Sequence, residues 1–140
     1  MSVNRPKTPI LTVDSLIINK KGEVLMIKRN YFPFVGFWVL PGGHVKYGER
    51  VETALKREIF EETNLKIKSY TLFGVYSDPK RDPRYHTVSL AYFCQSINSR
   101  LKGNRESTAH NFFPLNKLPK DIGFDHRKII NDFKKWNNKS

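Results

Sequence analysis

The sequence predicts an α/β fold in which helices cover a central mixed sheet. Runs rich in β-branched and aromatic residues stand on both sides of a segment with helical spacing. A second amphipathic helix is predicted at the end of the chain, and this order of elements favours an α/β sandwich. Because 140 residues suit one compact core, we expect residues 1–140 to form a single domain.

The first third of the chain is predicted to hold two strands and a long loop. Residues 10–19 (ILTVDSLIIN) and 23–29 (EVLMIKR) have strand composition, and the turn sequence NKKG between them favours a hairpin. Residues 30–48 are rich in glycine, proline and aromatic residues, so we expect a loop there around a short strand at 38–40.

A helix is predicted over residues 50–63. Val51, Ala54 and Ile59 repeat at helical spacing, which gives the segment one apolar face. Asn64 follows at the helix end, where a residue that tolerates left-handed backbone is favoured.

The second half of the chain is predicted to return to strands before a final helix. Two long strands are expected at 65–77 and 86–96, joined by the loop DPKRDPRY. A short strand at 109–113 precedes an amphipathic helix at 125–136, and Asp125 is its expected N-cap.

The charge balance is strongly basic. Twenty-five Lys and Arg against 13 Asp and Glu give a net charge of +12, which favours anionic partners such as nucleotides. The basic residues are scattered and no recognition motif accompanies them, so specific nucleic-acid binding is not expected. We see no apolar run of membrane-spanning length, no export leader and a single cysteine, Cys94, and therefore expect a cytoplasmic protein that does not bind membranes.

Three glutamates crowd into one stretch of the predicted helix. At about 100° per residue, Glu58, Glu61 and Glu62 fall on one face, where like charges repel. This face continues the apolar stripe that is expected to dock on the sheet, so the carboxylates need cationic partners. Arg57 can offset only one of the three charges, whereas a divalent cation with oxygen ligands, such as Mg²⁺, would relieve the repulsion.

Paired glycines precede this helix in the segment LPGGHVKYGE. Gly42 and Gly43 allow the backbone to approach a ligand or metal closely, since neither carries a Cβ. A glycine loop beside a carboxylate-rich helix, in a basic protein, indicates metal-assisted phosphate chemistry.

The spacing of these residues resembles the Nudix box. That box has the form G-x5-E-x7-R-E-U-x-E-E-x-G-U, with U aliphatic, and the match runs from Gly43 through Glu49 and Arg57 to Leu65. Asn64 replaces the last glycine, and asparagine is the best non-glycine residue for a left-handed helix cap. The resemblance implies the Nudix α/β/α sandwich with a box helix and a C-terminal helix. It also implies hydrolysis of a nucleoside diphosphate linked to another moiety.

The resemblance further implies roles for individual residues. The ligands of Mg²⁺ or Mn²⁺ would be Glu58, Glu61, Glu62 and the backbone carbonyl of Gly42. Arg57 would hold the glutamates in place, and Glu49 would support the loop or reach a metal through water. Glu58 and Glu61 would also take part in activating the attacking water.

Flanking segments are similar to those of the Nudix ADP-ribose pyrophosphatases: FWVLPGGHV, GVYSDPKRDPRYHTVSLAYF and FDHRKII. Arg81 and Arg84 are candidate contacts for a phosphate or the terminal ribose, and Gly43 is a candidate for close approach of the substrate. The alternative for both arginines is a solvated loop held by Asp78 and Asp82. The leading expectation is hydrolysis of a small-molecule nucleotide, ADP-ribose, to AMP and ribose 5-phosphate; the resemblance also suggests a homodimer.

Three alternative functions, and two roles for the aromatic residues, stay open. The chain would alternatively be a nucleoside triphosphate pyrophosphohydrolase that cleans the nucleotide pool, an enzyme that removes RNA caps, or a non-catalytic nucleotide sensor. Tyr31, Phe34 and Phe37 would stack on adenine or pack the core. Trp38, on the short strand, is expected to pack.

The general base is expected outside the box. Many Nudix enzymes use a further carboxylate near the C-terminal third, and Glu106 is the only glutamate after the box. The loop KGNREST would carry Glu106 into the site when substrate binds. Its alternative is a solvated loop residue paired with Arg105 or a lysine.

Overall fold

The computed structural model describes residues 7–97 and 107–138, which hold seven strands and two helices. In chain order the elements are β1 (Ile10–Ile17), β2 (Glu23–Arg29), β3 (Trp38–Val39), β4 (Gly42–His44), α1 (Val51–Thr63), β5 (Ile67–Tyr76), β6 (Thr87–Ser96), β7 (Ser107–Pro114) and α2 (His126–Asn138). Neither helix of the described residues has the length and apolarity needed to cross a membrane.

The strands form two sheets. The larger sheet is mixed, with the order β4-β1-β6-β5, because β1 runs parallel to β6 but antiparallel to β4. The smaller sheet is antiparallel, with the order β3-β2-β7. The predicted fold class, an α/β structure with a mixed sheet and two helices, is confirmed.

The predicted hairpin between β1 and β2 is present only as its turn, where Asn19 donates its N–H to the Glu23 carbonyl over 3.0 Å, and the predicted pairing of the two strands is wrong. The two strands belong to different sheets and, in the described part of the chain, the ladder between them is reduced to one bridge, Ile18 with Val24. Both edges of β1 are already paired, with Gly43 and Leu90 on either side of Val13. A strand has only two edges, so β2 pairs with β3 and β7 instead.

Each face of the strand layer packs against one helix. Side chains alternate along β1, so Val13 and Ile17 pack toward α1 whereas Leu16 packs toward α2. The other buried residues on the α1 side are Leu25, Ala54, Leu55, Ile59, Leu65, Tyr92 and Cys94. Those on the α2 side are Val24, Met26, Leu40, Ala91, Ile129, Ile130 and Phe133. Burial of each large aliphatic side chain contributes about 2 kcal/mol to the free energy of unfolding.

The box helix ends at the predicted residue. Asn64 adopts a left-handed conformation with φ of 65°, and its N–H donates to the Phe60 carbonyl over 2.9 Å. Asparagine therefore provides the helix cap in place of the glycine of the Nudix pattern.

Two strands differ from the sequence expectation. β4 was expected to be loop because glycine disfavours strands, but the free edge of β1 pairs with Gly42–His44. β7 extends beyond the predicted 109–113 because β2 offers a partner from Glu23 to Arg29. In both places tertiary pairing outweighs local propensity.

Candidate active site

A pocket of about 360 Å³ opens where β1, β4, α1, the loop at 77–86 and the start of α2 meet. Its volume lies in the range that is usual for small-molecule sites. The charged residues that line it are Asp14, Glu58, Glu62, Asp82, Arg29, Arg81 and Arg84. The pocket therefore brings box residues together with residues of the flanking segments.

The paired glycines allow β4 and α1 to approach each other closely. Gly42 donates its backbone N–H to Oε1 of Glu62 over 2.8 Å, and Glu62 is only 6% exposed. A Cβ at Gly43 would overlap the carboxylate of Glu58, and one at Gly42 would overlap the backbone oxygen of Val13. Only glycine therefore fits at Gly42, whereas at Gly43 a Cβ would force the Glu58 carboxylate to move. These are approaches to the protein's own atoms, and the predicted approach to a ligand or metal stays a prediction.

Arg57 contacts the three carboxylates nearest to it and the loop before the helix. It donates from Nε to Glu49 Oε2 over 2.8 Å and from Nη2 to Glu49 Oε1 over 2.9 Å. Nη1 donates to Glu58 over 2.7 Å and lies 3.5 Å from Glu61, while Nη2 also reaches the His44 carbonyl. These hydrogen bonds lower the pKa of Glu49 to about 2 and raise the pKa of Arg57.

Glu58, Glu61 and Glu62 are not gathered into a closed metal site. Within the part of the chain that the structure describes, no three His, Cys, Asp or Glu side chains lie close enough to hold an ion together. Glu58 and Glu62 line the pocket, whereas the Glu61 side chain is 54% exposed. Their carboxylates and the Gly42 carbonyl are the hard oxygen donors that Mg²⁺ and Mn²⁺ prefer, so the residues fit such an ion.

Arg81 forms the wall of the pocket and is held by the protein on several sides. Its side chain is 5% exposed and makes a two-pronged pair with Asp125, at 2.9 and 2.7 Å. It also donates to Thr87 over 2.7 Å and lies 3.4 Å from Asp14. Asp78, expected in the alternative to hold this loop, accepts from the Lys80 backbone N–H with its carboxylate and from the Arg81 backbone N–H with its carbonyl. Burial acts to lower the pKa of Arg81, but the two carboxylates outweigh it and raise that pKa.

Arg84 lines the same pocket and pairs with Asp82, as the alternative reading of the loop expected. Nε and Nη2 donate to Asp82 over 3.1 and 3.0 Å, and the Arg84 backbone N–H donates over 2.9 Å. Burial acts to raise the pKa of Asp82, but these bonds hold it below its usual value. The Arg84 guanidinium lies 4.9 Å from the ring of Tyr85. Arg84 is more exposed than Arg81 and so is the better placed of the two to meet a substrate.

Sequence reasoning missed a buried polar cluster at the pocket floor. Asp14, 7% exposed, accepts from Ser89 Oγ over 2.5 Å and lies 3.4 Å from both His126 Nε2 and Arg81 Nη2. Burial acts to raise the pKa of Asp14, but the nearby His126 and Arg81 outweigh it and keep the pKa below its usual value. The available signal was a carboxylate in the middle of the apolar strand ILTVDSLI, where a lone charge is costly.

Aromatic side chains form a second part of the pocket wall. The Arg29 guanidinium lies 4.3 Å from the ring of Tyr31 and 5.0 Å from that of Phe124. Phe34, one of the candidates for base stacking, packs edge-on against Phe124 at 4.8 Å. Trp38 packs against Phe113 in the core, as expected.

Two candidate residues remain, His44 and Glu106, and only His44 belongs to the described residues. His44 lines the pocket and its Nε2 lies 3.3 Å from the Tyr85 hydroxyl. Burial, together with the charge of Arg84, lowers the pKa of His44. Glu106 lies outside the described residues, so its role as general base stays a prediction.

The chain matches one family over most of its length. The sequence profile of the NUDIX domain matches residues 8–133. The chain therefore belongs to the NUDIX family, and the predicted enzyme class, a Nudix pyrophosphohydrolase, is confirmed.

The relatives include an ADP-ribose pyrophosphatase, the subgroup that the flanking segments indicated. The chain is 48% identical to the ADP-ribose pyrophosphatase of Methanocaldococcus jannaschii, over 93% of this chain and 76% of that protein. It is 26% identical to the ADPR responsive transcriptional repressor NtrR of Acinetobacter baylyi, over 95% of this chain and 56% of that protein. A MutT/nudix family protein from Enterococcus faecalis has a related crystal structure, with a TM-score of 0.83 and 28% identity, over 99% of this chain and 66% of that one.

Proposed function

We propose that this protein hydrolyses ADP-ribose to AMP and ribose 5-phosphate and that it uses Mg²⁺ or Mn²⁺. The observation that carries the proposal is a single pocket lined both by box glutamates, Glu58 and Glu62, and by the stacked side chains Arg29, Tyr31 and Phe124. The first group suits a diphosphate with its metal, and the second suits a base or sugar. The 48% identity with the M. jannaschii ADP-ribose pyrophosphatase supports this substrate.

Glu58, Glu61, Glu62 and the carbonyl of Gly42 would hold the metal. When bound, a divalent ion neutralises the charge of the diphosphate and lowers the pKa of an attacking water. The fit rests on donor chemistry and on Gly43, which leaves the space beside β4 to the Glu58 carboxylate. Side chains of α1 must rotate to bring their oxygens onto one ion, because the described residues hold no closed site.

The protein's own cations would orient the substrate. Arg57 holds Glu58 over 2.7 Å and thereby fixes one wall of the diphosphate site. Arg84 lines the pocket with a planar guanidinium, which suits phosphate oxygens. The net charge of +12 draws an anionic substrate toward the protein.

Hydrolysis adds one water across the diphosphate. The water oxygen bonds to one phosphorus, the bond from that phosphorus to the bridging oxygen breaks, and the bridging oxygen leaves with the other phosphate. The water's proton goes to a carboxylate, for which we propose Glu106 on its loop. Glu58 and Glu61 are the alternative acceptors.

A substrate panel tests the proposal. The value of kcat/KM would be measured for ADP-ribose, nucleoside triphosphates, NADH and capped RNA, with Mg²⁺, with Mn²⁺ and with a chelator. Glu62→Gln, purified in the same way, is the control for contaminating hydrolases. We expect ADP-ribose to give the highest value and the chelator to abolish it. If a triphosphate, NADH or capped RNA is cleaved far faster, the substrate assignment is wrong and only the family activity stands.

A second candidate function is a nucleotide sensor without turnover. The similarity to the NtrR repressor of A. baylyi favours it, whereas the full set of box glutamates favours catalysis. Calorimetry with ADP-ribose and Mg²⁺, followed by analysis of the nucleotide, separates the two. Tight binding with intact ADP-ribose would identify a sensor. A homodimer and a cytoplasmic setting stay predictions, and light scattering tests the first.

A further inference from the structure

His126 lies at the start of α2 and uses both ring nitrogens inside the protein. It is 4% exposed. The backbone N–H of Leu40 donates to Nδ1 over 2.9 Å, so the ring proton of the neutral imidazole is on Nε2. Nε2 faces Asp14 Oδ1 at 3.4 Å. The tautomer is therefore set by two different partners, one from the backbone and one from a carboxylate.

Leu40 is the first of three consecutive residues that join the core to the box glutamates. The Pro41 carbonyl accepts hydrogen bonds from the backbone N–H and hydroxyl of Ser15, at 2.9 and 2.8 Å. Gly42 then donates to Glu62 over 2.8 Å. The Leu40 N–H that His126 binds therefore lies within two residues of the Gly42 carbonyl and of the bond to Glu62, on a segment that is also anchored to β1 at Pro41 and Gly42.

The strand before Leu40 is held without His126. Trp38 donates its N–H to Asp121 over 2.9 Å and accepts from the Gly123 N–H over 2.9 Å. Loss of the imidazole would consequently leave β3 and the Pro41 carbonyl held by their own bonds, and would leave unpaired the Leu40 N–H, two residues before Gly42. This separation distinguishes a positioning role from a general structural one.

We propose that His126 is a positioning residue for the catalytic centre, and that the contact responsible is Nδ1 with the Leu40 N–H. Through that bond it sets where the Gly42 carbonyl and the Glu62 carboxylate stand. Asp14 acts indirectly, because its carboxylate faces Nε2 and keeps the ring proton of His126 on that nitrogen. The inference rests on the proposed function to the extent that a metal-dependent reaction takes place at Gly42 and Glu62.

Two substitutions test the two ring nitrogens of His126 one at a time. In His126→Asn the amide oxygen takes the place of Nδ1 and still accepts from Leu40, whereas in His126→Gln the amide reaches the position of Nε2 and leaves the Leu40 N–H unpaired. We expect His126→Asn to keep kcat and the Kd for Mn²⁺ within threefold of the wild type. We expect His126→Gln and His126→Ala to lower kcat and weaken Mn²⁺ binding by about tenfold or more, as the loss of outer-shell partners does, with KM little changed.

Tyr76→Phe is the matched control, because it removes another side-chain hydrogen bond to α2, Tyr76 to Asp132 at 3.0 Å. It should change neither kcat nor Mn²⁺ affinity. The wild type supplies a further test without substitution: ¹⁵N NMR should show His126 protonated on Nε2 and slow exchange of the Leu40 amide. A proton on Nδ1 would overturn the proposal even if every variant failed to fold.

The outcomes separate this inference from the substrate assignment. Turnover is measured with the nucleotide that the wild type cleaves fastest, and Mn²⁺ affinity by electron paramagnetic resonance needs no substrate. If ADP-ribose is not cleaved but the asparagine and glutamine variants differ as stated, the substrate is wrong and the positioning role stands. If the glutamine variant resembles the wild type, or if all three variants behave alike, the positioning role is wrong.

Discussion

Arg57 holds Glu49 with two parallel hydrogen bonds, from Nε to Oε2 at 2.8 Å and from Nη2 to Oε1 at 2.9 Å. The Lys46 backbone N–H donates to the same carboxylate over 3.0 Å. The pair fastens the loop before α1 to the helix, so the glycine strand and the box glutamates keep a fixed relation. Glu49 in this structure is a support for the site.

Replacement of Glu49 should change how stability depends on pH. The folded state lowers the Glu49 pKa from 4.5 to about 2, chiefly through Arg57. Its contribution to the free energy of unfolding is therefore present above pH 4.5 and lost as pH falls toward 2. Denaturant unfolding of the wild type and of Glu49→Gln at several pH values tests this. The wild type should lose more stability across that window; parallel curves would mean that the pair contributes nothing.

Gly43→Ala should abolish most activity while the protein still folds. The added Cβ would overlap the Glu58 carboxylate and displace it, and a displacement of about 1 Å costs about a hundredfold in kcat. Gly22→Ala is the control, because Gly22 has φ of 78° and open space around it. That variant should lose on the order of 1 kcal/mol of stability from left-handed strain and keep its kcat. Equal activity of both variants would show that the close approach at Gly43 has no catalytic role.

Arg81 and Arg84 should respond differently to truncation. Arg81→Ala leaves Asp125 and Asp14 without their buried cation, so we expect a loss of about 3 kcal/mol in the free energy of unfolding. Arg84→Ala leaves Asp82 with the backbone N–H of residue 84, so stability should fall less while KM rises. Thermal unfolding and steady-state kinetics on both variants measure this. The reverse pattern would make Arg81 the substrate contact.

Glu62→Gln should preserve the fold and remove metal-dependent turnover. The glutamine amide oxygen still accepts from the Gly42 N–H, while the charge that a divalent ion requires is lost. Turnover should fall by about a hundredfold or more, and Mg²⁺ should raise the melting temperature less than in the wild type. Glu52→Gln, at an exposed position of the same helix, is the matched control. Undiminished turnover in Glu62→Gln would show that Glu62 does not bind a catalytic metal.

Glu106→Gln tests the identity of the general base. If Glu106 accepts the water's proton, kcat should fall by about a hundredfold or more while KM changes little. The pH profile of kcat should also lose its acidic limb. A variant with near-normal kcat would leave Glu58 or Glu61 as the acceptor.

The box helix and its neighbours were predictable because their signals are local. Helical spacing and the left-handed preference of asparagine define residues 51–64, and the pattern from Gly43 to Leu65 identifies the family. The pairing of strands was not predictable from local signals, since β1 pairs with residues that are distant in sequence, such as Leu90. The turn sequence therefore predicted the chain reversal correctly but not the sheet to which each strand belongs.

The pocket was predicted in part. The box supplied Gly43, Glu58 and Glu62, but the partners of Arg81 lie far away in sequence, at Asp14 and Asp125. Sequence spacing carries no information about such contacts. A carboxylate inside an apolar strand and a histidine at a helix start mark candidates for such contacts, and the folded chain shows that they face each other.

The most direct test of the proposed ADP-ribose hydrolysis is ³¹P NMR of ADP-ribose incubated with the protein, with and without Mg²⁺. With Mg²⁺, the diphosphate resonances should disappear and be replaced by two phosphomonoester signals, those of AMP and ribose 5-phosphate. Without metal, the diphosphate resonances should persist. Diphosphate resonances that stay unchanged in the presence of Mg²⁺ and Mn²⁺, with folded protein, would contradict the proposed function.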